Sequence, residues 1–339
     1  MKKKLFMGEP SNYVYNIEAS IFSMVQNPID IKSWIANNFI QIEYVQSWNS
    51  YFFDNHHMLI YQCPFIQYGE IDRDLLKDKW DGDIIRFIIE MINKEKYVYL
   101  FLEYKLLNSV IYETIKNSFI HEIFVYGYDT DSEVIYCANN MNKGTYECFK
   151  ITFNEIKLSY WEIRTPWEKE GCEAHFFTSL RTLKYAPIKV SDYKINVNQI
   201  RFSLERYLNS LPSCYMNFDQ DIISGIDAIY VTLNQIKESI SNKNTCKLDR
   251  RAFHLFYIHK KFMVMRLKYL NEEGVITNQG NIFDDYVLLE NDFLILRSLV
   301  LKYNISPRLD VLNKVEQKFE TCLKEEKRIC EKLLSTLPN

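Results

Sequence analysis

The chain is poor in the residues that bend a backbone, with 9 glycines and 8 prolines among 339 residues. No glycine-rich phosphate loop occurs, and neither does an HExxH or GxSxG pattern. Nucleotide, zinc-protease and serine-hydrolase chemistry are therefore unsupported. No apolar run approaches the roughly 18 residues that a membrane-crossing helix needs. A basic surplus is also missing. The formal charge is −3, whereas a general nucleic-acid binder carries a basic face or stripe. The 8 cysteines are scattered and form no CxxC pair, which disfavours a zinc ribbon. The basic first residues are followed by no apolar stretch, so no signal peptide is expected. Reduced thiols in a cytoplasm follow from that expectation.

What is present is globular in character: 47% hydrophobic and 25% charged residues, rich in Tyr and Phe. The length allows two domains and a sizeable core. Periodicity predicts helices from Ile17 and over 83–93, a buried strand over 97–104, and a helix over 154–160. Strands are expected over 121–126 and 133–138, with a third over 148–152 across a Lys143-Gly144 turn. Beyond a boundary between 165 and 200 the pattern is nearly all helical, over 196–210, 223–240, 249–270, 286–303 and 308–334.

The strand pair carries the chemistry. Residues 121–129 read His-Glu-Ile-Phe-Val-Tyr-Gly-Tyr-Asp and residues 134–140 read Val-Ile-Tyr-Cys-Ala-Asn-Asn. The intervening Gly127-to-Ser132 stretch is dense in turn formers, which signals a hairpin. His121 opens one strand and Asn139 closes the other, so the hairpin is expected to bring them near each other. A histidine oriented by Asn or Asp is the base half of a cysteine-nucleophile triad.

The His-x-x-x-Val-Tyr-Gly-Tyr-Asp pattern, with Ala138-Asn139 after the turn, resembles the papain-like fold of bacteriocin-leader-processing peptidases. It resembles more closely the butirosin-type acyltransferases of antibiotic biosynthesis. The resemblance is strongest over residues 11–160 and rests beyond that on helical content. It implies an α+β protein with a papain-like cysteine-protease fold over 1–190 and a mainly α-helical domain over 191–339. It also implies transfer of an acyl or peptidyl group from a phosphopantetheine thioester on a carrier protein to an amine. No cofactor and no metal are implied.

In such acyltransferases the nucleophilic cysteine opens the first helix, in a pattern like Asn-Cys-x-Glu-Ala-Ser. Unsatisfied backbone N–H groups and the helix dipole activate the thiol there. This chain reads Tyr15-Asn16-Ile17-Glu18-Ala19-Ser20, with Asn16 at the cysteine's place. Asn is a good N-cap but not such a nucleophile. The resemblance makes His121 the base, Asn139 its orienting partner, and the backbone amides around Asn16 and Ile17 an oxyanion site. Three readings follow. The chain is a pseudoenzyme that binds a carrier protein or peptide; it catalyses direct aminolysis with His121 as base; or another nucleophile serves, with Cys137 ahead of Ser20. A purely structural helical scaffold is a further class, which leaves the His121–Asn139 arrangement as coincidence.

Other features have blander expectations. Asp54-Asn55-His56-His57 is expected to be a loop or strand edge rather than a metal site, because adjacent histidines on extended backbone point to opposite faces. His254 and His259 lie on a helix with Arg250, Arg251, Lys260, Lys261, Arg266 and Lys268, expected to be a basic solvated face. Its sharper reading is a dock for an acidic carrier protein. The last helix alternates Glu and Lys around an apolar stripe. Such a stripe packs on a bundle or joins two copies, so a homodimer is a second expectation. Trp80, Trp161 and Trp167 are expected in the core rather than in a cleft.

Overall fold

The computed structural model describes residues 1–108, 117–140, 144–163, 175–186, 193–213, 221–276 and 281–338; for Asp30, His57 and His175 it describes the backbone alone. In chain order the strands are β1 (Lys2–Lys4), β2 (Ile42–Val45), β3 (Ser50–Phe53), β4 (Ile66–Ile71), β5 (Tyr97–Glu103), β6 (Ile120–Asp129), β7 (Val134–Asn139), β8 (Glu147–Thr152), β9 (Leu180–Tyr185) and β10 (Ile222–Ser224). The helices are α1 (Asn16–Ser23), α2 (Lys32–Asn37), α3 (Leu59–Gln62), α4 (Arg73–Trp80), α5 (Ile84–Asn93), α6 (Phe153–Trp161), α7 (His175–Thr178), α8 (Val197–Leu208), α9 (Gly225–Ser241), α10 (Arg250–Glu272), α11 (Ile282–Ile305) and α12 (Leu309–Thr336). The protein is α+β. Among the described residues, no helix is long and apolar enough to cross a membrane.

Two compact units result, each drawn from two stretches: Met1–Asp30 with Leu59–Ile188, and Ile31–Met58 with Lys189–Asn339. The break near 188 lies close to the expected boundary. Residues 31–58, expected with the first domain, pack instead with the second. There β2 pairs with both β3 and β10 in a three-stranded antiparallel sheet, so the second unit is not purely helical.

The first unit is built on a seven-stranded sheet, ordered β4-β9-β5-β6-β7-β8, with β1 on the edge of β6. All seven residues of β5 are buried, as its unbroken apolar sequence requires for a central strand. Helix α5 presents Ile84, Phe87, Ile88, Met91 and Ile92 to a core shared with Val98, Leu100, Ile123, Val125, Ile135 and Cys137. Asp83 caps α5 by accepting from Ile85 N at 3.0 Å. Thr152 and Glu155 form a reciprocal capping box that starts α6 immediately after β8.

The expected hairpin forms, with Phe124 opposite Ala138 and Val125 opposite Cys137. The ladder is irregular between Val125 and Gly127, and a Cβ on Gly127 would lie 2.5 Å from Lys3 O. Only glycine lets β1 lie so close. Asp129 closes the turn by accepting from the Asp131 and Ser132 amides. Lys143 of the expected following turn lies outside the described residues.

Candidate functional site

Helix α1 is wholly buried, and the chain before it is held by polar contacts. Asn12 accepts from Val14 N at 3.1 Å and donates to Glu18 Oε2 at 2.7 Å. Both Asn12 and Glu18 are buried. Tyr15, in extended conformation, is the N-cap residue, and Asn16 is the first helical residue. The expectation that Asn16 caps the helix is therefore corrected. Its side chain turns to the sheet instead, donating Nδ2–H to the Glu122 carbonyl at 3.2 Å. Asn16 is 2% exposed. Its Oδ1 finds no hydrogen-bond partner among the described residues.

The Glu122 carbonyl is a gathering point. It accepts from Tyr104 Oη at 3.2 Å and lies 3.1 Å from His121 Nδ1. Tyr104 Oη in turn accepts from Asn139 Nδ2. Asn16, His121 and Asn139 thus converge on one connected cluster, through Tyr104 and Glu122. The imidazole is 23% exposed, and its Nδ1 also lies 3.1 Å from the Glu122 carboxylate. Its ring stacks on Phe119 and meets the Tyr104 ring edge-on, both with centroids 5.6 Å away. A neutral imidazole that donates Nδ1–H to the Glu122 carbonyl keeps Nε2 as the basic nitrogen.

Buried Glu103 fixes the two segments that carry these groups. It accepts from Phe119 N at 2.9 Å, from Lys105 N at 3.3 Å and from the Ser118 hydroxyl. Tyr104 N also bonds to Phe119 O at 2.9 Å. Burial, reinforced by the Glu122 charge, pushes the Tyr104 phenol well above its ordinary value, so it stays a neutral donor. Burial does the same to Tyr99, whose hydroxyl bonds to Glu122. Sequence reading missed both Tyr104 and Glu122. The one local signal was that Tyr104 ends an apolar run, where a hydroxyl is costly unless partnered.

The alternative nucleophiles fare poorly. Cys137 lies in the core, and burial pushes its thiol well above the usual range. Thiolate is the reactive form. The Ser20 hydroxyl is buried, donates to Asn16 O at 2.6 Å and lies 3.1 Å from Tyr146 Oη. His56 packs against Phe52 with the two rings tilted and their centroids 4.7 Å apart. Trp80 is core, as expected, and donates to Glu90 Oε2 at 2.7 Å. Trp167 lies outside the described residues.

The expected basic face on α10 is also corrected. Arg250, Arg251, Lys261 and Lys268 are exposed, but His254, His259, Lys260 and Arg266 are buried. Burial lowers His254 to about 3, with Arg297 and Lys261 adding to it, and burial drives His259 well below 6.5. Both rings are then neutral in the fold. Below pH about 6.5 the unfolded chain binds protons that the fold refuses, so stability falls as pH falls. Each histidine contributes a slope approaching about 1.4 kcal/mol per pH unit. For His254 this continues down to about pH 3. Urea unfolding of wild type and His254→Leu from pH 7 to pH 5 is expected to show the variant losing less stability as pH falls, by up to about 1.4 kcal/mol per pH unit below pH about 6.5. The same pH dependence in variant and wild type would refute the neutral assignment of His254.

No family model matches the chain, and no curated protein matches it.

Proposed function

We propose that this protein transfers an acyl or peptidyl group from a carrier-protein thioester to an amine. The first unit is read as papain-like, of the butirosin-acyltransferase kind, with Asn16 in the place of the nucleophilic cysteine. The observation that supports this is the convergence of Asn16, His121 and Asn139, drawn from one helix and two strands, on the Glu122 carbonyl and Tyr104.

The chemistry is direct aminolysis. His121 Nε2 takes a proton from the amine as its nitrogen attacks the thioester carbonyl. The C–N bond forms, the C–S bond breaks, and the imidazolium returns the proton to the departing phosphopantetheine thiolate. A positioned base contributes roughly 10²–10⁴-fold. Backbone N–H groups at Asn16 and Ile17, at the positive end of α1, bind the oxyanion. Tyr104 and Asn139 act through position, holding the Glu122 carbonyl that fixes the imidazole. The setting this implies is specialised metabolism in a bacterial cytoplasm.

The second reading is a pseudoenzyme that binds a carrier protein or peptide at the same cluster. Asn16 favours it, because its amide is anchored to Glu122 where a thiolate would stand. Intact-protein mass after incubation with acyl thioesters, alone and with amines, separates the two. The Asn16→Cys variant is expected to gain one acyl mass, while the wild type gains none yet releases amide product. Wild type that releases no amide from any thioester, with Asn16→Cys acylated, leaves the binding reading. An acylated wild type would place a nucleophile elsewhere. No acylation of Asn16→Cys would remove the thioester site.

A further inference from the structure

One end of the β2–β3 hairpin, in the second unit, gathers oxygen acceptors and little to satisfy them. Asp54 N bonds to Gln41 O at 3.2 Å, which makes Gln41 and Asp54 cross-strand neighbours on one face. Glu43 lies two residues further along β2, so alternation puts its side chain on that same face. Gln41 is 1% exposed; its Nε2 donates to Leu211 O, and its Oε1 has no hydrogen-bond partner among the described residues. Asn55 is also buried, its Oδ1 has no hydrogen-bond partner among the described residues, and its backbone N–H donates to the Asp54 carboxyl. The Ser213 hydroxyl, two residues past the carbonyl that holds Gln41, approaches the Asp54 carboxyl and meets no partner at bonding distance among the described residues.

Two carboxyls and the Gln41 amide oxygen therefore share one face, with the Ser213 hydroxyl close to Asp54 and the Asn55 amide next along the chain. An amide oxygen cannot be satisfied by taking a proton, so what is missing is a donor or a cation. Among the described side chains, no basic group offsets either carboxyl. No three His, Cys, Asp or Glu side chains cluster among the described residues, so a transition-metal set of imidazoles and thiolates is not what the site offers. An all-oxygen set with irregular geometry and two negative charges is the donor chemistry of Ca²⁺.

We infer that Glu43, Asp54, Gln41 Oε1, Asn55 Oδ1 and the Ser213 hydroxyl form a binding site for a hard divalent cation of the calcium class. Such a cation clamps the hairpin to the segment at Leu211–Ser213. The site lies apart from the His121 cluster in sequence and in unit, so it stands or falls independently of the acyl-transfer reading.

Terbium tests it on the full chain, because Tb³⁺ takes calcium's oxygen ligands and Tyr44 and Tyr51 on the same hairpin sensitise its luminescence. After chelator treatment, wild type is expected to light up on Tb³⁺ addition and to darken as Ca²⁺ displaces it. Ca²⁺ alone is expected to raise the unfolding midpoint by mass action. Glu43→Gln and Asp54→Asn are each expected to weaken Tb³⁺ affinity by roughly 10–100-fold or more. Wild type with no luminescence and an unmoved midpoint up to roughly 10⁻³ M Ca²⁺, the weak end of protein calcium sites, would overturn the site. The cluster would then hold a shared proton and water. Undiminished Tb³⁺ binding in both variants would overturn it equally. The wild-type arms need no variant, and Glu43→Gln carries the comparison if Asp54→Asn does not fold.

Discussion

The His121→Ala variant is expected to fold normally and to lose acyl transfer by roughly 10²–10⁴-fold, the contribution of a positioned general base. The imidazole is partly exposed, and its bond to Glu122 O lies within its own strand. Removing it therefore opens no large cavity in the core. The loss should fall on kcat, because proton transfer occurs in the transition state and not in thioester binding. A His121→Gln variant keeps a polar side chain of similar reach but no base, so it should lose as much. Rates measured from product amide with a fixed carrier-protein thioester, with the circular dichroism spectrum as a fold control, decide the matter. A variant that keeps the full rate removes His121 from the chemistry. If wild type makes no amide at all, binding of the carrier protein to wild type and His121→Ala becomes the comparison. Equal binding there fits a pseudoenzyme that never used the base.

The hairpin that carries His121 and Asn139 was legible because its information is local. Alternating β-branched and aromatic residues around Gly127–Ser132 define two strands and a turn without reference to the rest of the chain. The same holds for α5 and for α8 to α12, whose apolar spacing is internal to each segment. Partnerships across the chain were not legible. Tyr104 meets Asn139 because β5 pairs with β6 and β6 with β7. Residues 31–58 join the second unit because β2 finds β10, with Ile42–Val45 and Ile222–Ser224 far apart in sequence. Single-strand patterns carry no register between such segments. Position 16 shows the complementary limit. Its neighbours Glu18, Ala19 and Ser20 keep the motif, but the turn of its amide toward Glu122 depends on a strand a hundred residues on.

The buried charges of the second unit were legible in part, and their environment was read wrongly as solvent. Lys260 continues the spacing of Phe253, Phe256, Met263 and Leu267 on α10, and Glu326 that of Val315, Phe319, Cys322, Ile329 and Leu333 on α12. A charge on an apolar stripe implies a buried partner. In a single helix the partner is invisible, so the charge reads as solvent-facing.

Breaking that pair is expected to have the largest effect on stability of any single substitution in the second unit. Lys260 Nζ bonds to Glu326 Oε1 and approaches His259 Nδ1 at 2.8 Å, and Tyr207 Oη donates to the same Glu326 oxygen at 2.6 Å. His259 Nε2 lies 2.8 Å from Ile40 O. Lys260 and Glu326 are fully buried, and burial lowers the Lys260 ammonium against the pull of Glu326. Glu326→Leu leaves that ammonium buried without its counter-charge, at a cost of about 3–5 kcal/mol. Lys260→Met strands the carboxylate, whose Oε2 already has no hydrogen-bond partner among the described residues, at a similar cost. The double variant removes both desolvation penalties and fills the space with apolar atoms. It is expected to recover most of the loss, short of full recovery because Tyr207 and His259 each lose a partner. Adding Tyr207→Phe should recover part of the remainder. Urea unfolding of the single, double and triple variants at one pH gives the coupling directly. Simple additivity, with the double variant as unstable as the two singles combined, would mean that the two charges do not stabilise each other, and the apolar stripes alone would then account for the packing of α10 and α12.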